Sequence, residues 1–543
     1  MPNYKNPFVG DLDTAEVGGY HSRVREREAL TVVKTVSASA VYGCHGKNGK
    51  KRKSLTGETI LQKNSKMALV SVDIFFELWY NTRERSGGVA MLLDFKFKNF
   101  KSFKDEADFF MTAAPKQQGL NYSVTEIVPK VKGRKKTIKA LCSSVIYGAN
   151  AAGKTNVISA MDVFRSIFLR GNIRNTEDFS PINIAPSRLD LIPNKNEEAS
   201  VPVEFYIKFY EQDILIEYTL HIALGAFLGK ESERHVSYEK LCVNHMCVFE
   251  RTSLGNSKDT IVSIGELSAI GSFLPKDNNG EELKTSMDLI NATLDEEELF
   301  ICNGFKNQVS KQFYSLVYKW FSTKFIVILR ADSMTYTPRF LDPERKGGAI
   351  DYTLNDAAKL FGINSNDLVY EIDKENGRSI LCSVVEGKHL KKPVLIPSEL
   401  FESYGTIRFV NIFPIILTCL MSGGTLVVDE FDASLHPMAL MNIVNLFHND
   451  DVNTCHAQLI FDTHNPIFLN ANLFRRDEIK FVERDDETHN STLYSLADFK
   501  TADHTRTRLH SDYMKNYFIN QYGAINDIDF TPVVENIMKN FKS

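Results

Sequence analysis

The chain holds 543 residues, 43% hydrophobic and 24% charged, with a formal net charge of −4. That length allows about two to four domains and a sizeable core, and the composition is that of an ordinary globular protein. The net charge excludes an overall positive field that would gather nucleic acid, so any such contact falls to a local patch.

Residues 1–90 lack sustained periodicity and carry the basic run Lys47-Asn-Gly-Lys50-Lys51-Arg52-Lys53 and the doublet Gly87-Gly88 before Met91. The run reads as a solvated, flexible loop in preference to a nucleic-acid patch. Two readings of the whole segment stand: a disordered N-terminal extension, or an upstream reading of a gene whose natural start is Met91. From Met91, Leu92 to Phe97 alternate as in a strand, and Asn99-Phe100-Lys101-Ser102-Phe103 follow.

The largely apolar stretch Ala140 to Tyr147 predicts one buried strand. It leads into Gly148-Ala149-Asn150-Ala151-Ala152-Gly153-Lys154-Thr155. In such a string the glycines let backbone N–H groups turn toward phosphate oxygens, the lysine supplies a point charge and the threonine a hydroxyl for Mg²⁺. Val157, Met161, Phe164 and Phe168 then recur at the spacing of one buried helical face, which aims a positive helix end at the phosphates.

A β-rich region spans about residues 200–250: Val203, Phe205, Ile207 and Phe209 alternate, then Ile214, Ile216, Tyr218, Leu220 and Ile222, as in an antiparallel meander. Cys242, His245 and Cys247 form a ligand-like cluster, but no second pair follows at finger-like distance, which argues against structural zinc. A helical insertion is expected over about 280–400, interrupted by a buried strand at Phe325 to Leu329 and by polar loops through Arg345-Lys346-Gly347-Gly348, with a shorter helix beginning near Thr353.

The apolar run Phe409 to Met421 is broken by Asn411, Pro414 and Thr418 and is too short to cross a bilayer. With no signal peptide and with cysteines such as Cys142 and Cys419 in apolar runs, the expectation is a cytoplasmic protein with reduced thiols and no membrane partner. Ser422-Gly423-Gly424 stops a helix, and Thr425 to Val428 form a buried strand ending in Asp429 and Glu430. There Asp429 can hold magnesium through water, and Glu430 can orient or deprotonate an attacking water. Gln458 to Phe461 read as another buried strand, ending in Asp462-Thr463-His464, so His464 lies where an open sheet binds ligands and can sense a γ-phosphate. Residues 531–543 read as a C-terminal tail.

Together these strings resemble the ABC-type ATPase heads of the RecF, SMC and OLD proteins. More narrowly, Leu92 to Lys104, Tyr147 to Thr155, Arg475 to Arg484 and Gln521-Tyr-Gly-Ala-Ile525 resemble the RloA and AbiL-type ATPases of abortive infection, and the chain is also similar to the Septu/retron ATPase PtuA. The likeness covers about residues 91–530. It implies an α/β P-loop NTPase with a mixed-sheet core, an antiparallel β subdomain and a helical insertion, using ATP and Mg²⁺ (the latter at Thr155 and Asp429), with Glu430 and His464 catalytic. Such heads work as homodimers or higher homo-oligomers with ATP between them. The best candidate here for the segment that caps the nucleotide in trans is Glu402-Ser403-Tyr404-Gly405-Thr406, through Ser403 and the Gly405 amide, although Ser403 also reads as an ordinary helix cap.

No heptad tract or internal repeat is present, and with 79 residues after His464 a complete metal nuclease domain is not expected there. The leading expectation is a dimeric ATP-driven switch in anti-phage defence acting through a separate, nuclease-like effector. The alternatives are a RecF-like DNA-binding ATPase of recombination or repair, which leaves nucleic acid open as a partner, and a nuclease in its own right, with Asp432 or Asp462 recruited for metal.

Overall fold

The computed structural model describes residues 89–115, 119–130, 137–174, 189–225, 234–253, 260–274, 280–329, 352–372, 379–499, 512–525 and 530–542. The basic run at Lys47, the Gly87-Gly88 doublet and the loop at Arg345 lie outside the described residues.

In chain order the first strands are Met91–Lys98 (β1), Ala107–Phe110 (β2), Val124–Ile127 (β3), Ile138–Leu141 (β4) and Ser143–Gly148 (β5), followed by helix Lys154–Arg170 (α1). The meander comprises Val203–Glu211 (β6), Ile214–Ala223 (β7), His235–Val243 (β8), Met246–Ser253 (β9) and Thr260–Ile264 (β10). Helices Gly280–Thr293 (α2) and Lys311–Lys319 (α3), strand Phe325–Ile328 (β11) and helix Tyr352–Phe361 (α4) come next. Strands Asp367–Ile372 (β12), Ser379–Val385 (β13) and Val394–Pro397 (β14) precede helix Tyr404–Ser422 (α5), strand Thr425–Val428 (β15) and helix Pro437–His448 (α6). The rest are Gln458–Asp462 (β16), Ile479–Arg484 (β17), Ser491–Ser495 (β18), Tyr513–Phe518 (α7) and Thr531–Lys542 (α8).

Six strands form the central sheet in the order β11-β15-β16-β5-β17-β18, parallel except for β18. Strands β5, β15 and β16 are buried along their whole length, and each carries a short apolar run, Val145 to Tyr147, Leu426 to Val428 and Leu459 to Phe461. Their side chains still alternate between faces. Ile146, Val427, Ile460 and Val482 pack in one core with α1 and the seven-stranded antiparallel sheet β10-β9-β8-β7-β6-β1-β2. Val145, Tyr147, Leu426, Val428, Leu459, Phe461 and Phe481 pack in the other with α4, α5 and α6.

Several expectations need correction. Ala140 to Tyr147 is not one strand: β4 pairs with β3 in a separate two-stranded sheet, and the chain steps at Cys142 into β5 of the central sheet. The β-rich region runs on through β10 and takes in β1 and β2. The helical insertion over about 280–400 is helical only in part, because β12, β13 and β14 make a three-stranded antiparallel sheet. These strands bury few side chains, notably Leu368, Tyr370 and Cys382, and β14 is mostly exposed, so their apolar periodicity is faint. Residues 531–542 of the expected tail form α8, whose apolar residues Val533, Val534, Ile537, Met538 and Phe541 are all exposed.

Among the described residues one helix, α5, is long and apolar enough to cross a membrane, longer than the interrupted run suggested. Its apolar residues, including Phe409, Ile412, Ile416 and Leu420, instead pack against the central sheet.

One side chain joins the two large sheets. Gln458 opens β16 fully buried; its Oε1 accepts from Leu92 N (2.7 Å) and Thr425 Oγ1 (2.8 Å), and its Nε2 donates to Leu92 O (3.1 Å) and Leu141 O (2.8 Å). Gln458→Met keeps the bulk but leaves these buried groups without their partner, at about 1–3 kcal/mol for each group stranded. The variant is expected to unfold at clearly lower urea concentration, followed by tryptophan fluorescence; an unchanged midpoint would remove the amide from this joining role.

Candidate functional site

The phosphate-loop string leaves the carboxyl end of β5. A Cβ on Gly148 would sit 2.4 Å from the Val482 carbonyl of β17, so no larger residue fits where the loop begins. Gly153 caps α1 with a left-handed φ of 115°, and a Cβ there would meet the hydroxyls of Ser491 (2.7 Å) and Ser102 (2.8 Å). Between them Ala149 is half-buried, Asn150 and Ala151 are exposed and Ala152 is buried, while Thr155 opens α1 on the surface.

The back of the loop is braced. The Ser491 hydroxyl donates to Ala152 O (2.6 Å) and lies 2.7 Å from the Ser102 hydroxyl, which also accepts from Asn156 Nδ2 (2.8 Å). Arg484 Nη1 donates to Ala151 O (3.2 Å). The turn after β1 and the start of β18 therefore hold the loop from behind.

Lys154 is 5% exposed, and its Nζ donates to Gly148 O (2.9 Å) and Ala149 O (3.1 Å). Burial lowers its pKa, and four carboxyls oppose that shift: Asp462, Asp429, Asp432 and Glu430. Groups about 280 to 310 positions apart in the sequence thus act on one ammonium, because β5, β16 and β15 are adjacent parallel strands that end on the same side.

The acids are individually held. Asp429 is buried, and its N–H donates to Ile328 O of β11 (2.9 Å). Glu430 is exposed at a left-handed φ of 51°, with its N–H donating to Asp462 Oδ1 (2.6 Å) and its carbonyl accepting from Arg408 Nη2. Asp462, at the end of β16, has its pKa pushed up to about 7 by burial and then by the Asp429 charge, against the stabilising Glu430 N–H and Lys154. Asp432 accepts from Thr463 Oγ1 (2.7 Å), tying the loops after β15 and β16 together. His464 is exposed; desolvation and the Lys154 charge lower its pKa, while Asp432 and Glu430 counter them. Its ring therefore lies in the field of the same cluster.

Ser403 and Gly405 are placed differently. Ser403 caps α5, its Oγ accepting from Thr406 N (3.1 Å), and a Cβ on Gly405 would sit 2.5 Å from Ser434 O. The segment leans on the acidic loop, and none of these contacts joins it to Lys154. Sequence reasoning did not identify Arg408 or Ser491 as supports. Arg408 is legible only as a lone cation in the apolar α5, and Ser491 carries no local signal.

Comparison with known proteins gives one family match. A family described as "AAA domain, putative AbiEii toxin, Type IV TA system" matches residues 143–241 and 292–470. No curated protein matches the chain. Among solved structures, the SMC head domain from Thermotoga maritima aligns at 12% identity and a TM-score of 0.30, over 75% of this chain and 98% of that one, too loosely to carry an inference. The family match takes in just over half of the sequence, including the phosphate loop, the acids after β15 and His464, and the chain belongs to this AAA-domain family.

Proposed function

We propose that this chain is a Mg²⁺-dependent ATPase that works as a nucleotide-gated homodimeric switch in the cytoplasm, holding or releasing a separate effector in anti-phage defence. The observation that supports the chemistry most is the gathering of Asp429, Glu430, Asp432 and Asp462 around Lys154 at the mouth of the phosphate loop. One ammonium among four carboxyls leaves surplus negative charge, so a triphosphate alone would be repelled and needs a divalent cation with it.

The donor set fits Mg²⁺: an exposed hydroxyl at Thr155 and a carboxylate at Asp429, both oxygen ligands. Among the described residues no group of three or more His, Cys, Asp or Glu side chains is arranged for a metal ion. That suits an ion held largely by phosphate and water, and it weighs against a self-contained metal nuclease built on Asp432 or Asp462. The ion would supply charge neutralisation on the phosphate oxygens.

The protein's own groups do the rest. Backbone N–H groups of residues 149–155 and the positive end of α1 bind the phosphates, and Lys154 exchanges its two loop carbonyls for phosphate oxygens. Glu430 orients the attacking water and accepts its proton, while Asp462 and Arg408 fix its backbone. His464 reads the γ-phosphate. Ser403 and the Gly405 amide, at the exposed start of α5, cap the nucleotide of a second copy. The toxin and TA-system wording of the family description supports coupling to a defence effector.

Lys154→Ala removes two charge-assisted contacts worth about 1.5–3 kcal/mol each, and should weaken ATP binding by roughly 100-fold or more in a titration with a fluorescent ATP analogue. Wild-type affinity in that variant would sink the phosphate-site assignment. Glu430→Gln should retain ATP but lower kcat by about 10²–10⁴. Light scattering with ATP and Mg²⁺ should then show it trapped as a dimer, and turnover at the normal rate would mean that another group activates water.

A further inference from the structure

The β8–β9 hairpin carries two cysteines that the ATP site does not use. Its turn is Asn244-His245, with left-handed φ values of 51° and 67°, the pattern of a two-residue type I′ connection. Val243 and Met246 flank the turn, and Cys242 and Cys247 are the next pair directly opposite each other, the last before the register shifts between Leu241 and Cys242. In a two-residue hairpin the flanking pair exchanges its backbone hydrogen bonds and the next pair does not. Such a non-hydrogen-bonded pair has Cα atoms about 4.5 Å apart with the side chains drawn together. That separation lies within the range a disulfide accepts, about 4.4–6.8 Å.

Both thiols are free and partly exposed, as is Cys455, whereas Cys142, Cys302, Cys382 and Cys419 are buried. The hairpin is also anchored. Asn244 N donates to Leu215 O (2.8 Å), and Asn244 Oδ1 accepts from Leu215 N (3.0 Å), so the turn holds the pair in register.

We propose that Cys242 and Cys247 are a reversible dithiol site that closes to a cross-strand disulfide on reaction with a low-molecular-weight disulfide such as glutathione disulfide. Burial first and the neighbouring Cys247 next push the Cys242 thiol up to about 11, which disfavours Cys242 as the first nucleophile. The Cys247 thiolate displaces one glutathione thiolate and forms a mixed disulfide. The Cys242 sulfur then attacks the Cys247 sulfur and displaces the second glutathione, its proton passing to the leaving thiolate. Two protein thiols and one glutathione disulfide become one protein disulfide and two glutathione thiols. Strands β7 and β6 separate this hairpin from β1, whose turn braces the phosphate loop, so closure leaves the ATP site in place.

The test treats the full chain with glutathione disulfide near neutral pH, blocks remaining thiols with iodoacetamide, and digests with trypsin without reductant. One peptide, Leu241 to Arg251, holds both cysteines. It should lose the mass of two hydrogens, take up no iodoacetamide, and recover both thiols with dithiothreitol, while ATP binding is unchanged. Cys242→Ser should stop at a stable glutathione adduct on Cys247. A wild-type peptide that stays doubly alkylated, or that keeps glutathione on Cys247, overturns the proposal. Because the readout is a mass and not turnover, its failure is separable from failure of the ATPase reading.

Discussion

The placement of β16 between β15 and β5 is the constraint on which the site depends. Its register sets Phe461 beside Val428 and Asp462 beside Ile146, so three strand ends deliver Asp429, Asp462 and the phosphate loop to one edge. A one-residue slip would reverse the faces of β16, sending Leu459 and Phe461 out of one core and Ile460 out of the other. Burial on both faces therefore fixes the register, and the register fixes the chemistry. Gln458 adds a polar lock at the opposite end of the same strand, where a mispaired amide would leave several groups dry and unbonded.

The electrostatics follow from that geometry. Lys154 and Asp462 are both largely removed from water, which disfavours each charge alone. They are tolerable because each partly neutralises the other, and because Glu430 offers its N–H to Asp462. The left-handed turn at Glu430 directs that N–H inward while leaving its carboxyl exposed. A buried support and a solvent-facing acid thus come from a single residue.

Much of this was legible in the sequence because short parallel strands buried on both faces announce themselves as apolar runs, and the candidate site residues sit directly at their ends. Thr425 to Val428 and the helix after Gly153 coincide with β15 and α1. What escaped is non-local or weakly patterned. In Ala140 to Tyr147 only the pair Ser143-Ser144 breaks the apolar run, too slight a signal to reveal that its two halves join different sheets. The brace from Ser491 to Ala152 spans 339 positions and rests on a residue type common in any loop. Ser403 illustrates a different limit: the same serine signals a helix cap and a nucleotide contact, and its hydrogen bond to Thr406 satisfies the first without speaking to the second.

The 317-residue span between Gln458 and the Leu141 carbonyl it binds has a bearing on how the molecule comes into being. A nascent chain emerging from the ribosome displays the glycine-rich loop long before the strands that supply its acids have been synthesised. Such distant pairing makes folding slow and late. A chain interrupted before Thr425 would consequently display the phosphate loop without the carboxyls that act on Lys154.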